Sequence, residues 1–115
     1  MATTLQILRK ARKLIEKPER WCKGDAAKDR AGENEDVMSR KAAAFCMAGA
    51  VVRASGGWCR EYYTARDHVE AVIGSHALDA LAEWNDAPRR THAQVLRAFD
   101  KAIAKLEAKG KAVQR

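Results

Sequence analysis

Apolar side chains recur at the three- and four-residue spacing of an amphipathic helix in several separate stretches of this chain. The first stretch begins after Thr3 and Gln6, whose spacing is that of a helix N-terminal capping box. Lys17-Pro18 predicts the end of this helix, because the residue before a proline avoids helical backbone angles. A first helix is therefore expected between Thr3 and Lys17.

The last apolar stretch has the most regular spacing, and Thr91 with Gln94 gives it a second capping box. Its apolar positions are Val95, Leu96, Phe99, Ala102, Ile103 and Leu106. Gly110 predicts the end of this helix, since glycine is common just beyond helix C-termini. Residues 111–115 are then expected to be a frayed tail.

The middle of the chain predicts three more helical segments. Ser39 is a suitable N-cap for a helix that runs to about residue 54, and its segment AAAFCMAGAVV is expected to be buried on most sides. Gly49 within it indicates the close approach of a neighbouring segment. A further helix is predicted over residues 58–73, closed by a glycine C-cap, and a short one over residues 76–83.

These patterns predict an all-α fold. Residues 18–38 have no sustained period, and nowhere does an alternating pattern run long enough to build a sheet. At 115 residues the chain is long enough for one core only. We expect a compact single-domain bundle over residues 1–110, with four main helices, one short helix and a long irregular loop after the first helix.

The charge of the chain indicates acidic partners. It carries 22 lysine and arginine residues against 15 aspartate and glutamate residues, a net charge of +7. A basic surface attracts nucleic acid, anionic protein or phosphorylated ligands, although it serves solubility equally well. Since no apolar run approaches the roughly 20 residues that span a bilayer, no membrane partner is expected.

The three cysteines Cys22, Cys46 and Cys59 cannot all pair within one chain, and they show no C-x-x-C spacing. We therefore expect reduced thiols and a cytoplasmic location. Because no close ligand pair exists to nucleate metal binding, neither a metal site nor a cofactor is expected.

Two segments carry the candidate binding residues: the polar face of the first helix and the stretch EWNDAPRRTHAQ at 83–94. The second combines a tryptophan, turn-forming polar side chains and a basic helix N-terminus, where an anion can bind. The same residues could serve only to cap the last helix. The candidates are Trp21, Trp84, Asn85, Asp86, Arg89, Arg90, Thr91, Arg9, Arg12 and Lys13.

An alternative interpretation is catalytic. Cys22, His92 and either Asn85 or Asp86 are the residue types of a thiol hydrolase, with a nucleophile, a base and an orienting group. Another alternative is nonspecific nucleic-acid binding, although no helix-turn-helix pattern is visible.

The segments LRKARKLIE, RWCKG, AAAFCMAGAV and WNDAPRRTHAQVLRAFDKAI together resemble an uncharacterised family of small bacterial and phage proteins, a domain of unknown function. Its motifs are W-C-x-G, (W/F)-C-x-x-G-A and W-N-D-x-P-x-R-T. The matching residues are Trp21, Cys22, Gly24, Phe45, Cys46, Gly49, Ala50, Trp84, Asn85, Asp86, Pro88, Arg90 and Thr91. The loop after Gly24, rich in charged residues, and a second Trp-Cys pair at Trp58-Cys59 depart from the pattern.

The resemblance implies one intact domain and supplies no reaction. Because the cysteine segments and the Trp-Asn-Asp turn are its signature, we expect the Trp21-Cys22 loop to pack against residues 84–91. The expected function is that of a non-enzymatic accessory protein, associated with a phage or mobile element, that binds another macromolecule through its basic surface. A protein is the expected partner, and the sequence indicates no oligomeric state.

Overall fold

A computed structural model describes residues 2–113 of the chain. Over this range the α-helices, in chain order, are α1 (Thr4–Leu14), α2 (Met47–Ser55), α3 (Arg60–Ile73), α4 (Ala80–Asp86) and α5 (His92–Val113). A 3-10 helix (Pro18–Arg20) follows α1, and two short strands, β1 (Ala27–Lys28) and β2 (Ala44–Phe45), pair antiparallel. The predicted mostly helical, compact single-domain fold is confirmed, and the small sheet is a feature that the apolar pattern did not predict. None of the helices in the described range is long and apolar enough to cross a bilayer.

Both predicted capping boxes are present. Thr3 Oγ1 accepts from the Gln6 backbone N at 3.1 Å, and Gln6 Oε1 accepts from the Thr3 N at 2.9 Å. Thr91 and Gln94 exchange the same pair of bonds at 3.2 and 3.0 Å. Each box satisfies two N–H groups that a helix start would otherwise leave unpaired. Gly74 closes α3 with a left-handed backbone, φ 76°, as its position predicted.

The α-helices share one core. Helix α1 packs against α2, α3 and α5, and Leu8 of α1 and Phe99 of α5 are both fully buried. The predicted apolar stripe of α5 faces this core, since Val95 and Ala102 are also buried. Burial of such stripes is the main favourable contribution to the stability of a helical domain of this size.

The segment between α1 and α2 is more ordered than the predicted irregular loop. Ala27 pairs with Phe45 and Lys28 with Ala44 in the sheet, and the Cys22 N donates to the Phe45 carbonyl oxygen at 3.1 Å. Two-residue strands are too short to show an alternating pattern, which explains why the sequence did not predict them.

Helix α2 begins at Met47, so its predicted start at Ser39 is wrong. The Arg53 guanidinium binds the carbonyl oxygens of Val37 at 2.9 Å and Ser39 at 2.8 Å, which holds this segment outside the helix. The N-cap is Cys46, whose Sγ accepts from the Gly49 N at 3.3 Å. An uninterrupted apolar run contains no period that could locate this boundary.

Other predicted boundaries also move. Helix α1 ends at Leu14, before Lys17, and α3 begins at Arg60, two residues after the predicted position 58. Helix α5 continues past Gly110 to Val113, so the predicted helix end at Gly110 is wrong. Of the predicted tail 111–115, residues 114 and 115 lie outside the described residues.

Candidate functional site

Asn85 is the buried polar centre of the motif-bearing region. Its side chain is 0% exposed, and helix α4 carries it into the core instead of leaving it in the predicted turn, because α4 runs to Asp86 and not to residue 83. The Oδ1 atom accepts from Trp21 Nε1 at 2.7 Å and from the Met47 backbone N at 3.1 Å. The Nδ2 atom donates to the Cys22 carbonyl oxygen at 3.0 Å and to Asp86 Oδ1 at 2.9 Å. The amide therefore uses its two donors and two acceptor positions in full.

Further bonds join the same two segments. Asp86 Oδ1 accepts from the Gly24 N at 3.1 Å, and Lys23 Nζ donates to the Ala87 carbonyl oxygen at 2.8 Å. The predicted packing of the Trp21-Cys22 loop against the 84–91 segment is confirmed by these contacts. We call this set, Trp21 to Gly24 with Asn85 to Ala87 and Met47, the asparagine junction.

The residues after the junction also have structural partners. The Arg90 guanidinium lies 3.5 Å from the centroid of the Trp84 ring, and its Nε donates to the Trp84 carbonyl oxygen at 2.8 Å. Thr91 caps α5, and His92 Nε2 lies 2.6 Å from the Ile15 carbonyl oxygen. Among the sequence-predicted binding residues of this segment, Arg89 is the one that stands exposed without such a contact in the described part of the chain.

The environment of Cys22 opposes thiol catalysis. Burial raises the pKa of the Cys22 thiol to about 12, chiefly because desolvation disfavours the thiolate. The Cys22 Sγ–H donates to the Asp25 carbonyl oxygen at 3.6 Å. One ring nitrogen of His92, Nε2, is bound to the Ile15 carbonyl oxygen, as described above, and does not contact Cys22. The fold thus brings Cys22 close to Asn85 but gives it the protonation state of an unreactive thiol.

We expect Cys22 to resist alkylation by iodoacetamide in the folded protein at pH 7.5. The thiolate is the reactive species, and with a pKa of about 12 only a minute fraction of the Cys22 thiol ionises at that pH. Peptide mapping by mass spectrometry should show Cys22 labelled at least ~100-fold more slowly than in 8 M urea. Equal rates in the two states would restore the thiol-hydrolase alternative.

Two arginines on the predicted polar side of α1 already form ion pairs. Arg9 lies 2.6 Å from Glu107, and Arg12 lies 2.7 Å from Asp100 and 3.2 Å from Glu16. The pairs with Glu107 and Asp100 join α1 to α5. Because their charges are compensated by carboxylates, the two arginines contribute little net charge to a partner surface.

A larger basic surface lies beside them. Three adjoining hollows share lining residues, and Arg20 lines all three. Their basic side chains, which we call the basic face, are Lys10, Lys13, Lys17, Arg20, Arg30, Arg40, Lys41 and Arg53. Three carboxylates, Glu16, Glu19 and Asp29, line the same hollows, which leaves a net charge of +5. The basic face of the first helix, predicted from the sequence, supplies Lys10, Lys13 and Lys17, whereas Arg30, Arg40 and Lys41 are brought beside them by the fold of the loop between α1 and α2.

Within residues 2–113, no group of three or more histidine, cysteine, aspartate or glutamate side chains lies close enough to hold a metal ion. No curated protein matches this chain, and no solved structure matches it. One family model, described as a family of unknown function (DUF6197), matches residues 1–105. The match covers the asparagine junction, the basic face and most of α5, and the chain belongs to this family of unknown function, DUF6197.

Proposed function

We propose that this protein is a non-enzymatic binding protein whose basic face engages an acidic segment of another protein. The observation that carries the proposal is the net charge of +5 around three connected hollows. Like charges gathered on one surface raise each other's energy, and a partner of opposite charge relieves that repulsion.

The charges of the basic face are not neutralised by carboxylates, although two of its arginines also bond backbone carbonyl oxygens. Arg20 Nε donates to the Leu14 carbonyl oxygen at 3.2 Å, and Arg53 binds the loop carbonyls. Within the described range, the ion pairs beside this surface engage Arg9 and Arg12, and none engages a lysine or arginine of the basic face. The charge is therefore not neutralised internally, in contrast to that of the neighbouring arginines.

The form of the face favours an acidic protein over nucleic acid. Glu16, Glu19 and Asp29 lie among the cations and would repel the evenly spaced charges of a phosphate backbone. A protein segment can place its carboxylates opposite the cations alone. A basic face of this size still attracts nucleic acid weakly, so nonspecific nucleic-acid binding is the second candidate.

Charge reversal tests the proposal. The double variant Arg30→Glu/Lys41→Glu is expected to weaken binding of a fluorescein-labelled acidic peptide, such as a 12-residue glutamate–serine repeat, about tenfold or more in fluorescence polarisation. Both residues are exposed and lie in loops, so we expect the fold to tolerate the change. The matched control is Lys101→Glu/Lys105→Glu on α5, which alters the net charge equally away from the face.

The outcomes separate the candidates. Loss of peptide binding in the first variant alone supports the proposal, and equal loss in both variants contradicts it. If a 20-nucleotide single-stranded DNA binds and the acidic peptide does not, with affinity that falls steeply between 50 and 200 mM salt, the nucleic-acid candidate replaces it. The proposed association with a phage or mobile element is tested separately, by the genes that neighbour this one. The proposed cytoplasmic location is tested by fractionation of the source cells.

A further inference from the structure

A second concave surface has the opposite charge to the basic face and shares no lining residue with it. The cavity, of about 260 Å³, is formed by the loop after the asparagine junction, the start of α2, one side of α3 and the segment that leads into α4. It is smaller than the roughly 300–1,000 Å³ of sites for drug-sized ligands, so it suits one long side chain better than a cofactor.

The wall of this cavity is aromatic and unusually exposed. In the described part of the chain, four large hydrophobic side chains are exposed, and three of them line this cavity: Trp58 at 60%, Tyr63 at 46% and Leu78 at 86%. Buried Tyr62 forms the floor, and its ring lies 5.2 Å from that of Trp58. Exposed apolar side chains gathered at one place mark an interaction surface, whereas single ones do not.

The rim of the cavity is acidic although the protein is basic. Asp25, Asp79 and Asp86 line it. Asp25 lies 4.0 Å from Lys28, but in the described range no cation pairs with Asp79 or Asp86. Asp79 makes no capping bond at the start of α4, and it holds a left-handed backbone, φ 61°. Asp79 thus remains to attract a positive charge, and Asp86, whose Oδ1 accepts from the Gly24 N and Asn85 Nδ2, adds a negative charge that no cation compensates.

Among the described residues, the one cation that lines the cavity is already engaged. Arg66 lies 3.1 Å from Asp67 and 3.4 Å from Glu70, and its guanidinium stands 5.0 Å from the centroid of the Tyr63 ring. Asp67 and Glu70 do not line the cavity, and together they offset the Arg66 charge. The cavity therefore combines aromatic faces with net negative charge, which is the environment that binds a guanidinium or ammonium group.

We propose that this cavity receives an arginine or lysine side chain from a protein partner, with apolar neighbours of that side chain covering Trp58 and Leu78. The proposal is independent of the basic face. The negative charge of the cavity favours a basic side chain. The exposed hydrophobic residues that line it favour a peptide over a small free cation.

The test uses three peptides on the ¹⁵N-labelled full chain: acetyl-Gly-Leu-Arg-Leu-Gly-amide, the same peptide with citrulline for arginine, and the same with glutamate. Titration is followed by NMR at the Trp58 indole. The arginine peptide is expected to shift this signal and to bind at least roughly fivefold more tightly than the citrulline peptide. The glutamate peptide is expected to produce no shift.

Variants locate the site. Asp79→Asn removes one charge and keeps a residue that tolerates a left-handed backbone, so it should weaken the arginine peptide roughly threefold to fivefold without unfolding the chain. Trp58→Ala should weaken it about tenfold, followed at the Tyr63 amide. The controls are Glu83→Gln on the same helix outside the cavity and Met38→Ala, an exposed apolar residue elsewhere; both should change affinity less than about twofold.

The proposal would be overturned by equal binding of the arginine and citrulline peptides, by a loss of affinity in the controls as large as in Asp79→Asn, or by the absence of a shift at Trp58. Binding of phenethylamine without binding of the arginine peptide would also overturn it, because the occupant would then be a small aromatic amine and not a protein segment.

Discussion

Replacement of Asn85 with aspartate is expected to lower the free energy of unfolding by about 3–5 kcal/mol. The substitution exchanges the Nδ2 donor for an oxygen of the same size. That oxygen would face the Cys22 carbonyl and Asp86 Oδ1, which now accept from Nδ2 at 3.0 and 2.9 Å. These two oxygen acceptors would then face another acceptor and would have no donor. The substitution would also place a charge at a position where the side chain is 0% exposed.

Urea unfolding monitored by circular dichroism measures this loss. Because burial disfavours the charged form of a carboxyl, the loss should shrink as the pH is lowered and the new carboxyl becomes protonated. The matched control is Asn34→Asp: Asn34 is exposed and its Nδ2 makes one bond, to Asp25 Oδ1 at 2.8 Å. We expect the control to cost about 1 kcal/mol or less. A cost for Asn85→Asp no larger than that of the control would contradict the junction.

Replacement of Gly49 with alanine is expected to destabilise the fold by about 2–3 kcal/mol, although alanine is ordinarily the better helix former. A Cβ at this position in α2 would lie 1.8 Å from the Ala26 carbonyl oxygen. This backbone cannot move aside freely, because the same oxygen accepts from the Cys46 N at 3.1 Å next to the sheet. The substitution therefore separates the loop after the Trp-Cys segment from the start of α2.

Gly110→Ala is the control for this prediction. Gly110 also lies within a helix, α5, but a Cβ there meets no atom within 4 Å. Alanine should therefore stabilise the chain by about 0.5–1 kcal/mol, as in an exposed helix interior. Thermal unfolding of both variants should move the midpoint in opposite directions. A gain in stability for Gly49→Ala would show that the close approach of α2 and Ala26 is absent.

The parts of the fold that depend on local patterns could be predicted from the sequence. The capping boxes at Thr3 and Thr91 and the buried stripe of α5 follow from spacing alone, because their partners lie three or four residues away. Gly49 also indicated a close neighbour, but not which one, since Ala26 lies far away in the chain. The sheet and the start of α2 depend on pairing between distant residues that have no periodic signature.

The same distinction applies to the candidate site. The shared motifs led to the expectation that the Trp21-Cys22 loop meets the Trp-Asn-Asp segment, and this contact is present. They could not show that Asn85 uses all four of its hydrogen-bonding positions, nor that burial raises the pKa of the Cys22 thiol to about 12. The residue types of Cys22, His92 and Asn85 suggested a catalytic site, but their surroundings give these residues structural roles. The sequence predicted the part of the basic face that lies on the first helix, but not its extension onto the following loop and not the aromatic cavity, because both surfaces are assembled from separate segments.

Because the motif residues have a structural role, the binding function is expected on the two surfaces that they support. The asparagine junction holds the loop between α1 and α2 against α4, and this loop carries Arg30 and Lys41 of the basic face on one side and Asp25 of the cavity on the other. Variants in the junction should therefore disturb both surfaces through the fold, whereas variants of basic-face residues, or of cavity residues outside the junction, should leave the junction intact.

Hydrogen exchange at the Trp21 indole tests the asparagine junction most directly. The three indole N–H signals can be assigned with Trp21→Phe, Trp58→Phe and Trp84→Phe variants and followed by NMR after transfer to D₂O. Trp21 Nε1 donates to buried Asn85 at 2.7 Å, so its exchange should be slowed to the rate of global unfolding. The indole of Trp58, which is 60% exposed, serves as the reference within the same molecule. Exchange of the Trp21 indole as fast as that of Trp58 would contradict the junction and the structural role assigned to its residues.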